Sequence, residues 1–330
     1  MMSRRFMPNL LNLLNLLNLL NFLNHLNPTP IKVSIQIPTY NQRQYILSAV
    51  ESALAQDYAP LEVLVSDDCS TDDTAGVLQN ITDQRFIYRR QPVNLGRIAN
   101  YHETLYKGVS GEWVVNLDGD DHFSDRAFIS YAVSCIHKAA GEKIVLFQGN
   151  HDIAKLKRIF PQHTAIDEET ILVDGPTYFI NYYKVQRFKH FATLYHRPTA
   201  LGLNFYSFDC LFTDFNSMAK LFLQGQLLLS GRKVAEWRLH GENQSSGLNE
   251  KNIEKEMASI DDLAAFAGPY FKENAIENWR NRMKAYMVTT YIELRNQQPR
   301  SWGSLVYLLK NFKWDMVYFK QLFRWFFRFK

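Results

Sequence analysis

Short apolar runs alternate along the first half of the chain with segments in which apolar residues recur at helical spacing. The apolar runs lie at 32–37, 61–66, 85–90, 112–117 and 143–148. The segments with helical spacing lie at 43–56, 72–80, 97–107 and 125–139. Strands that alternate with helices in this way form a mostly parallel sheet covered on both faces. The pattern therefore predicts an α/β fold with a central sheet flanked by helices.

The second half of the chain is patterned differently. Residues 151–200 show no decisive periodicity, whereas 214–225, 250–267 and 274–296 have the spacing of helices. These patterns predict an α/β domain with a helical C-terminal extension. The predicted divisions are a Leu/Asn leader at 1–30, the α/β domain at 31–248, and C-terminal helices with a basic aromatic tail at 249–330.

The leader is a low-complexity segment in which Asn recurs at every third position from Asn9 to Asn27. On a helix, steps of three residues wind the Asn row around the cylinder, so no clean apolar stripe remains. An amide at every third position also makes a poor membrane span. We expect a poorly ordered or loosely helical leader; a surface-bound anchor assisted by Arg4 and Arg5 is the alternative.

Three polar motifs follow predicted strands, where the ligands of open α/β sheets collect. They are PTYN at 38–41, DDCS at 67–70 and DGDD at 118–121. The glycine of DGDD permits a tight backbone, and its crowded carboxylates would repel one another without a cation. Mg²⁺ or Mn²⁺ prefers such oxygen ligands, together with substrate phosphates. The motif therefore predicts a divalent metal site, with a solvated turn that caps a helix as the alternative.

The other motifs have plainer alternatives. Asp68 can accept hydrogen bonds from a base or a sugar, whereas Ser70 or Asp72 can simply cap the next helix. Tyr40 can stack on a nucleobase, although four residues of this kind also form ordinary turns. Arg97 begins a predicted helix, where a phosphate would bind well, but a surface Arg beside an ordinary cap fits the sequence too.

These motifs, in this order, resemble the family 2 glycosyltransferases, which have the GT-A fold. The resemblance is carried by VSIQIPTYN, SALAQDY, LEVLVSDDCSTDDT, PVNLGRIAN, GEWVVNLDGDD and WRLHGENQS, and it extends over roughly residues 32–247. It implies transfer of a sugar, with inversion at the anomeric carbon, from a nucleotide-diphospho-sugar to a hydroxyl acceptor. It favours a UDP-sugar donor, and a role in bacterial surface polysaccharide or lipopolysaccharide synthesis.

The resemblance also implies roles for single residues. Nucleotide-sugar binding falls to Pro38, Tyr40, Asn41, Asp68, Arg97 and Asp118. Metal binding falls to Asp120, Asp121 and His240. The bound metal would stabilise the charge that develops on the departing nucleotide diphosphate.

An inverting transfer needs a base that takes the proton of the acceptor hydroxyl. Members of the family usually carry an acidic pair before a helix, with a Gly eleven residues beyond the second acid. Asp214 stands eleven residues before Gly225 and is the predicted base, but Thr213 replaces the first acid. Asp209 is a second candidate, and Asp214 can also be a simple helix cap.

Net charge, cysteine content and the pattern of the C-terminal residues indicate the binding partners and the cellular location. A net charge of +4 over 330 residues does not call for nucleic acid, and three scattered cysteines fit a reducing cytoplasm. Residues 301–330 set basic side chains on one helical arc and aromatic ones on the rest, which is typical of a helix in an anionic membrane surface. We therefore expect a peripheral protein on the cytoplasmic face of the inner membrane, with a saccharide or lipid-linked saccharide as acceptor. A packed or partner-binding helix is the alternative.

Two other functions share features with this one. A sugar nucleotidyltransferase also binds a nucleotide and a metal, but IPTYNQRQ lacks the Gly-rich loop that it needs after the first strand. A catalytically inactive, membrane-associated scaffold of the same fold remains open because of Thr213. A phosphatase of the DxDxT type is disfavoured, because His122 stands where Thr is required.

Overall fold

A computed structural model of the chain describes residues 30–185, 189–238 and 250–295. Its strands are β1 (Val33–Thr39), β2 (Leu61–Asp67), β3 (Phe86–Arg90), β4 (Trp113–Asn116), β5 (His122–Phe123), β6 (Ile144–Gln148), β7 (Thr164–Ala165), β8 (Thr170–Asp174), β9 (Thr193–His196), β10 (Gln226–Ser230) and β11 (Ala235–Glu236). Its helices are α1 (Ile46–Leu54), α2 (Thr74–Leu78), α3 (Arg97–Glu103), α4 (Phe128–Lys138), α5 (Ile153–Ile159), α6 (Gly175–Val185), α7 (Arg197–Gly202), α8 (Thr213–Phe222), α9 (Glu250–Ala267) and α10 (Glu273–Arg295). The predicted strands and helices of the first half are confirmed.

The central sheet has the strand order β3-β2-β1-β4-β9-β6-β10-β8-β7. Strands β3, β2, β1 and β4 are parallel neighbours, and β6 is parallel to β10. The three polar motifs follow β1, β2 and β4, so the expectation that they meet at one edge of the sheet is confirmed.

Strand β9 is the main feature that the sequence did not predict. It lies antiparallel between β4 and β6 and comes from the stretch at 151–200 that showed no decisive periodicity. A four-residue strand with both of its faces buried has no apolar alternation to reveal it. Its position places the residues that precede it, including His190, beside the end of β4.

Apolar side chains alternate between the two faces of the sheet and build one cluster on each face. Val63 and Val65 of β2 join the cluster that includes Ile46 of α1, whereas Leu64 joins the opposite cluster. The opposite cluster also contains residues of α6, α8, α9 and α10, among them Trp279, whose Nε1 donates to the Phe179 carbonyl at 2.9 Å. Helices α9 and α10 therefore share a core with the sheet.

Among the residues that the structure describes, no helix has both the length and the apolar character needed to cross a bilayer. Residues 1–29 of the leader predicted at 1–30, and the whole of the membrane-binding tail predicted at 301–330, lie outside the described residues.

Candidate active site

The loops after β1 and β2 are joined by Asn41. This residue has φ 54° and accepts the Thr71 amide on its side-chain oxygen at 2.7 Å, while its own amide donates to the Ser70 hydroxyl at 2.9 Å. An Asn tolerates this left-handed conformation better than most residues. The neighbouring Tyr40 keeps 45% of its surface exposed. The loop thus presents a large aromatic ring at the edge of the sheet where the motifs meet.

Asp68 shapes the loop that precedes α3. It is buried, and its two carboxylate oxygens accept the amides of Leu95 at 2.7 Å and Gly96 at 2.9 Å. Gly96 has φ 85°, which favours glycine. This clamp sets Arg97 as the first residue of α3, and each oxygen of Asp68 retains capacity for a second hydrogen bond. The alternative role of Asp72 is also observed, because its Oδ1 accepts the Thr74 amide at 3.0 Å beside the start of α2.

The acidic motif after β4 is held in a tight turn. The Asp121 amide donates to the Asp118 carbonyl at 2.9 Å, and the Asp121 carboxylate accepts the Arg238 amide at 3.0 Å. A Cβ at position 119 would lie 2.4 Å from the Gln42 side-chain oxygen and 2.9 Å from the Thr39 hydroxyl, so any larger residue would have to displace these side chains. The Asp118 carboxylate accepts a hydrogen bond from the Tyr101 hydroxyl. The backbone thus fixes the carboxylates at the strand end.

Burial and mutual repulsion make this motif costly to ionise. Burial raises the pKa of Asp118, the charge of Asp120 adds to the rise, and His190 opposes it. Burial and the nearby charge of Asp118 raise the pKa of Asp121 to about 8. A cation beside these carboxylates would relieve both effects.

The carboxylates of the acidic motif suit a hard divalent ion that also binds oxygen atoms of a bound ligand. Within the described residues, no group of three or more His, Cys, Asp or Glu side chains is placed to hold a metal alone. Mg²⁺ or Mn²⁺ typically takes one or two carboxylates and completes its coordination with phosphate oxygens and water. The acidic motif fits that pattern. His240, the third predicted metal ligand, lies outside the described residues.

Asp214 lies in the first turn of α8, and its charge acts on Arg97, as does that of Asp118 in the acidic motif. Burial raises the pKa of Asp214, and the positive charge of Arg97 opposes that rise. The charge of Arg97 acts on Asp118 as well, and its guanidinium lies 5.8 Å from the centre of the Tyr101 ring. Arg97 is half-buried, so it is not the surface residue of the plainer interpretation.

The second candidate base sits in a different environment. The side chain of Asp209 is 76% exposed and forms an ion pair with Lys255 on α9. Thr213, which stands where the family usually has an acid, is fully buried, and its hydroxyl lacks a hydrogen-bond partner among the described residues. Of the two candidate acids, the structure therefore brings only Asp214 into the electrostatic neighbourhood of Arg97 and Asp118.

Sequence reasoning missed a buried polar chain beneath Asp118. His190 lies 3.0 Å from the Tyr206 hydroxyl, which lies 3.4 Å from the Tyr195 hydroxyl on β9. Tyr195 in turn donates to the side-chain oxygen of Asn116 at 3.2 Å. Burial lowers the pKa of His190 to about 4, and the charge of Asp118 opposes that shift. No local motif marks these residues, because packing around β9 brings them together.

Solved structures with the same arrangement were found by comparison of folds. Staphylococcus aureus TarS 1–349, crystallised with UDP, matches with a TM-score of 0.57 and 16% identity over 86% of this chain and 76% of that one. A mannosyltransferase from Pyrobaculum calidifontis, PcManGT, in complex with GDP-Man and Mn²⁺, matches with a TM-score of 0.54 and 14% identity over 89% of this chain and 86% of that one. The chain therefore has the fold of these structures, the GT-A fold.

Sequence comparison finds a family match over part of the chain. Residues 34–134 match the model of glycosyl transferase family 2. The chain is 36% identical over 127 residues to the GalNAc(5)-diNAcBac-PP-undecaprenol beta-1,3-glucosyltransferase of Campylobacter jejuni, which covers 38% of this chain and 39% of that protein. It is 33% identical over 123 residues to the Escherichia coli UDP-Glc:alpha-D-GlcNAc-diphosphoundecaprenol beta-1,3-glucosyltransferase WfaP, over 37% of this chain and 47% of that protein. Residues 34–134 therefore match a glycosyl transferase family 2 domain, and the chain matches less than half the length of these two relatives.

Proposed function

We propose that the chain is an inverting glycosyltransferase that moves a sugar from a nucleotide-diphospho-sugar to a hydroxyl acceptor. The observation that carries this proposal is that the charges of Asp118 in the acidic motif and of Asp214 both act on Arg97, while the three motifs follow the neighbouring strands β1, β2 and β4. The acidic motif suits a nucleotide diphosphate, and Asp214 suits deprotonation of an acceptor. The relatives named above, which include enzymes named for UDP-Glc and for undecaprenol-linked saccharides, support the reaction class.

On the nucleotide side, the exposed ring of Tyr40 offers a stacking face for the base, with Pro38 and Asn41 shaping the loop. Asp68 meets the base or ribose with its remaining acceptor capacity, while its backbone contacts keep Arg97 in place. Asp120 and Asp121 would hold the divalent ion, with Asp118 directed to the nucleotide sugar. When bound, the ion would neutralise charge on the diphosphate leaving group.

On the acceptor side, Asp214 takes the proton of the attacking hydroxyl. A base works best when its pKa approaches the operating pH, and burial moves the pKa of Asp214 upward from its ordinary value. Arg97 limits that rise and offers positive charge near the reacting centre. The inverted product follows if the hydroxyl attacks from the face of the sugar opposite to the diphosphate.

The acceptor that we propose is a lipid-linked saccharide, and the setting is bacterial surface polysaccharide or lipopolysaccharide synthesis. The names of the undecaprenol-linked relatives support this acceptor class. The basic, aromatic pattern of residues 301–330 supports docking on the cytoplasmic face of the inner membrane. Vesicle sedimentation with anionic lipids tests the docking, because a chain that lacks 301–330 should stay in the supernatant.

A screen of nucleotide sugars with and without Mn²⁺ tests the reaction. A ligand that binds the folded protein raises its melting temperature, and release of nucleotide diphosphate reports turnover. We expect a UDP-sugar to stabilise the protein more strongly with Mn²⁺ and to be turned over by the wild type. Asp120→Ala and Asp214→Ala should abolish turnover. An inactive scaffold, which the absence of an acid at Thr213 favours, predicts no turnover by the wild type with any donor and acceptor.

A further inference from the structure

Glu256 is a buried carboxylate that the reaction described above does not use. It lies on α9 with 2% of its surface exposed, and its Oε1 accepts the amide of Leu211 at 2.5 Å and that of Phe212 at 3.4 Å. These two residues directly precede α8, whose first turn carries Asp214. A residue of the C-terminal helices thus contacts the backbone that leads into the proposed base.

Burial of an ionised Glu256 carboxylate costs free energy unless hydrogen bonds offset the loss of hydration. Burial raises the pKa of Glu256 to about 7, the two amides oppose that rise, and the nearby charge of Asp214 adds to it. Amides at the start of a helix lack partners within the helix, and a carboxylate placed there satisfies them and interacts favourably with the helix dipole. The compensation therefore comes from the amino-terminal end of α8.

The same peptide segment is held from the donor side by Arg97. The Arg97 Nη2 donates to the Leu211 carbonyl at 2.5 Å, while Glu256 accepts the Leu211 amide. Opposite charges on α3 and α9 thus fix the two ends of one residue, three positions before Asp214. The charge of Arg97 also acts on Asp118. Arg97 therefore connects the segment that leads to Asp214 with the acidic motif.

Other contacts between α9 and α8 are made by side chains of α8 and not by the backbone that leads into it. The Asn216 side-chain amide donates to the Ser259 hydroxyl at 3.0 Å, and Lys220 pairs with Asp262 at 2.7 Å. These contacts hold the two helices together along their length. Glu256 differs from them because it reaches the backbone that precedes the first turn of α8.

We propose that Glu256 is a positioning residue: its carboxylate holds residues 211–212 so that Asp214 faces the nucleotide-sugar site across Arg97. The inference rests on the proposed function in taking Asp214 as the base. In this proposal, α9 contributes to the structure of the active site through Glu256. Loss of the carboxylate frees the segment, and a displacement of about 1 Å at a catalytic group is enough to reduce turnover by about 10²-fold.

The test compares Glu256→Ala, Glu256→Gln and Ser259→Ala in the full chain. Amide exchange of the segment that contains 211–212, followed by mass spectrometry, should be faster by about tenfold or more in Glu256→Ala. The kcat of that variant should fall by about 10–100-fold while KM for the nucleotide sugar stays within about twofold. Glu256→Gln keeps an acceptor oxygen and should restore most of both properties. Ser259→Ala removes a contact between the same helices and should leave kcat within about twofold.

Wild-type kcat in Glu256→Ala, an equal loss in Ser259→Ala, or a Glu256→Gln variant as impaired as Glu256→Ala would overturn the positioning role. The exchange measurement does not depend on turnover. If the wild type transfers no sugar, the proposed function fails, whereas unchanged exchange at 211–212 in Glu256→Ala would remove the positioning role by itself.

Discussion

The two sides of the site are built in different ways. On the nucleotide side, each motif follows its own strand within a few residues, and the three strands are neighbours in the sheet. On the acceptor side, Asp214, His190 and Glu256 come from three separate elements of the second half of the chain. The position of a side chain that directly follows a strand can be predicted from local sequence. The position of a side chain that depends on packing between distant elements cannot.

The two sides also differ in charge. The nucleotide side gathers carboxylates whose mutual repulsion favours a cation, whereas on the acceptor side the positive charge of Arg97 opposes the rise in the pKa of Asp214. His190 and Tyr206 are both buried, and burial lowers the pKa of His190 to about 4. Substitutions on the two sides should therefore have different effects. Those on the nucleotide side should weaken binding of the nucleotide and the metal, and those on the acceptor side should reduce turnover alone.

Asp214→Asn should give the largest effect. Removal of a general base typically costs about 10²–10⁴-fold in rate, so kcat should fall by that amount. The dissociation constant of the nucleotide should change by less than about threefold, because Asp214 lies on the acceptor side. Steady-state kinetics and calorimetric titration with UDP separate the two quantities.

Asp209→Asn is the matched control for this substitution. The side chain of Asp209 is exposed and paired with Lys255, so the variant should keep kcat within about twofold of the wild type. If Asp209→Asn lost the activity and Asp214→Asn kept it, the assignment of the base would be reversed.

Asp120→Asn should have the next largest effect, with a different signature. Loss of one carboxylate from the acidic motif should weaken the stabilisation of the melting temperature by UDP with Mn²⁺ and lower kcat/KM by about 10²-fold. The melting temperature without ligands should not fall, because the change relieves repulsion with Asp118 and Asp121. Thermal unfolding with UDP, with Mn²⁺ and with both measures this; equal stabilisation of variant and wild type would exclude a metal role for Asp120.

The sequence was sufficient for most of the fold and for the position of the three motifs in it. Alternating strands and helices predicted the sheet, and the motifs were expected to follow strands, as they do after β1, β2 and β4. The hydrogen bonds of Asp68 to the loop before α3 were not predicted, because that loop lies 27 residues further along the chain. Strand β9, His190 and Glu256 could not be predicted, since each depends on contacts across the sheet or between helices that carry no local pattern.

Tyr101→Phe tests the junction between the two sides and should have an intermediate effect. The Tyr101 hydroxyl donates to Asp118, and its ring stacks on Tyr206 at 5.2 Å between centroids. Phe keeps the ring but leaves a buried carboxylate with one donor fewer, at a cost of about 1–3 kcal/mol. We expect kcat/KM to fall by about tenfold with little change in fold, as judged by circular dichroism. Unchanged kinetics would mean that this hydrogen bond does not orient Asp118 during the reaction.

Glu62→Gln should have the smallest effect on activity, because it alters β2 away from both sides of the site. Burial would raise the pKa of Glu62, but hydrogen bonds from Ser34, Ser110 and Lys32 outweigh it and lower the pKa from 4.5 to about 2. A carboxylate with a lowered pKa contributes stability above its ordinary value, and the contribution is lost as the pH falls toward the folded value. At pH 7, Glu62→Gln should lower the free energy of unfolding by about 1–2 kcal/mol, less than the shift alone implies because solvent screens the half-exposed Lys32.

The difference between wild type and Glu62→Gln should shrink as the pH falls from about 5 toward 3, because the wild-type carboxylate then loses its advantage. Urea unfolding at pH 7, 5, 4 and 3 measures it. Turnover per folded molecule should stay at the wild-type level at pH 7. A pH-independent difference would show that Glu62 acts through packing rather than charge. A loss of turnover would show that the base of the sheet and its functional edge are coupled, which the local construction of the nucleotide side does not predict.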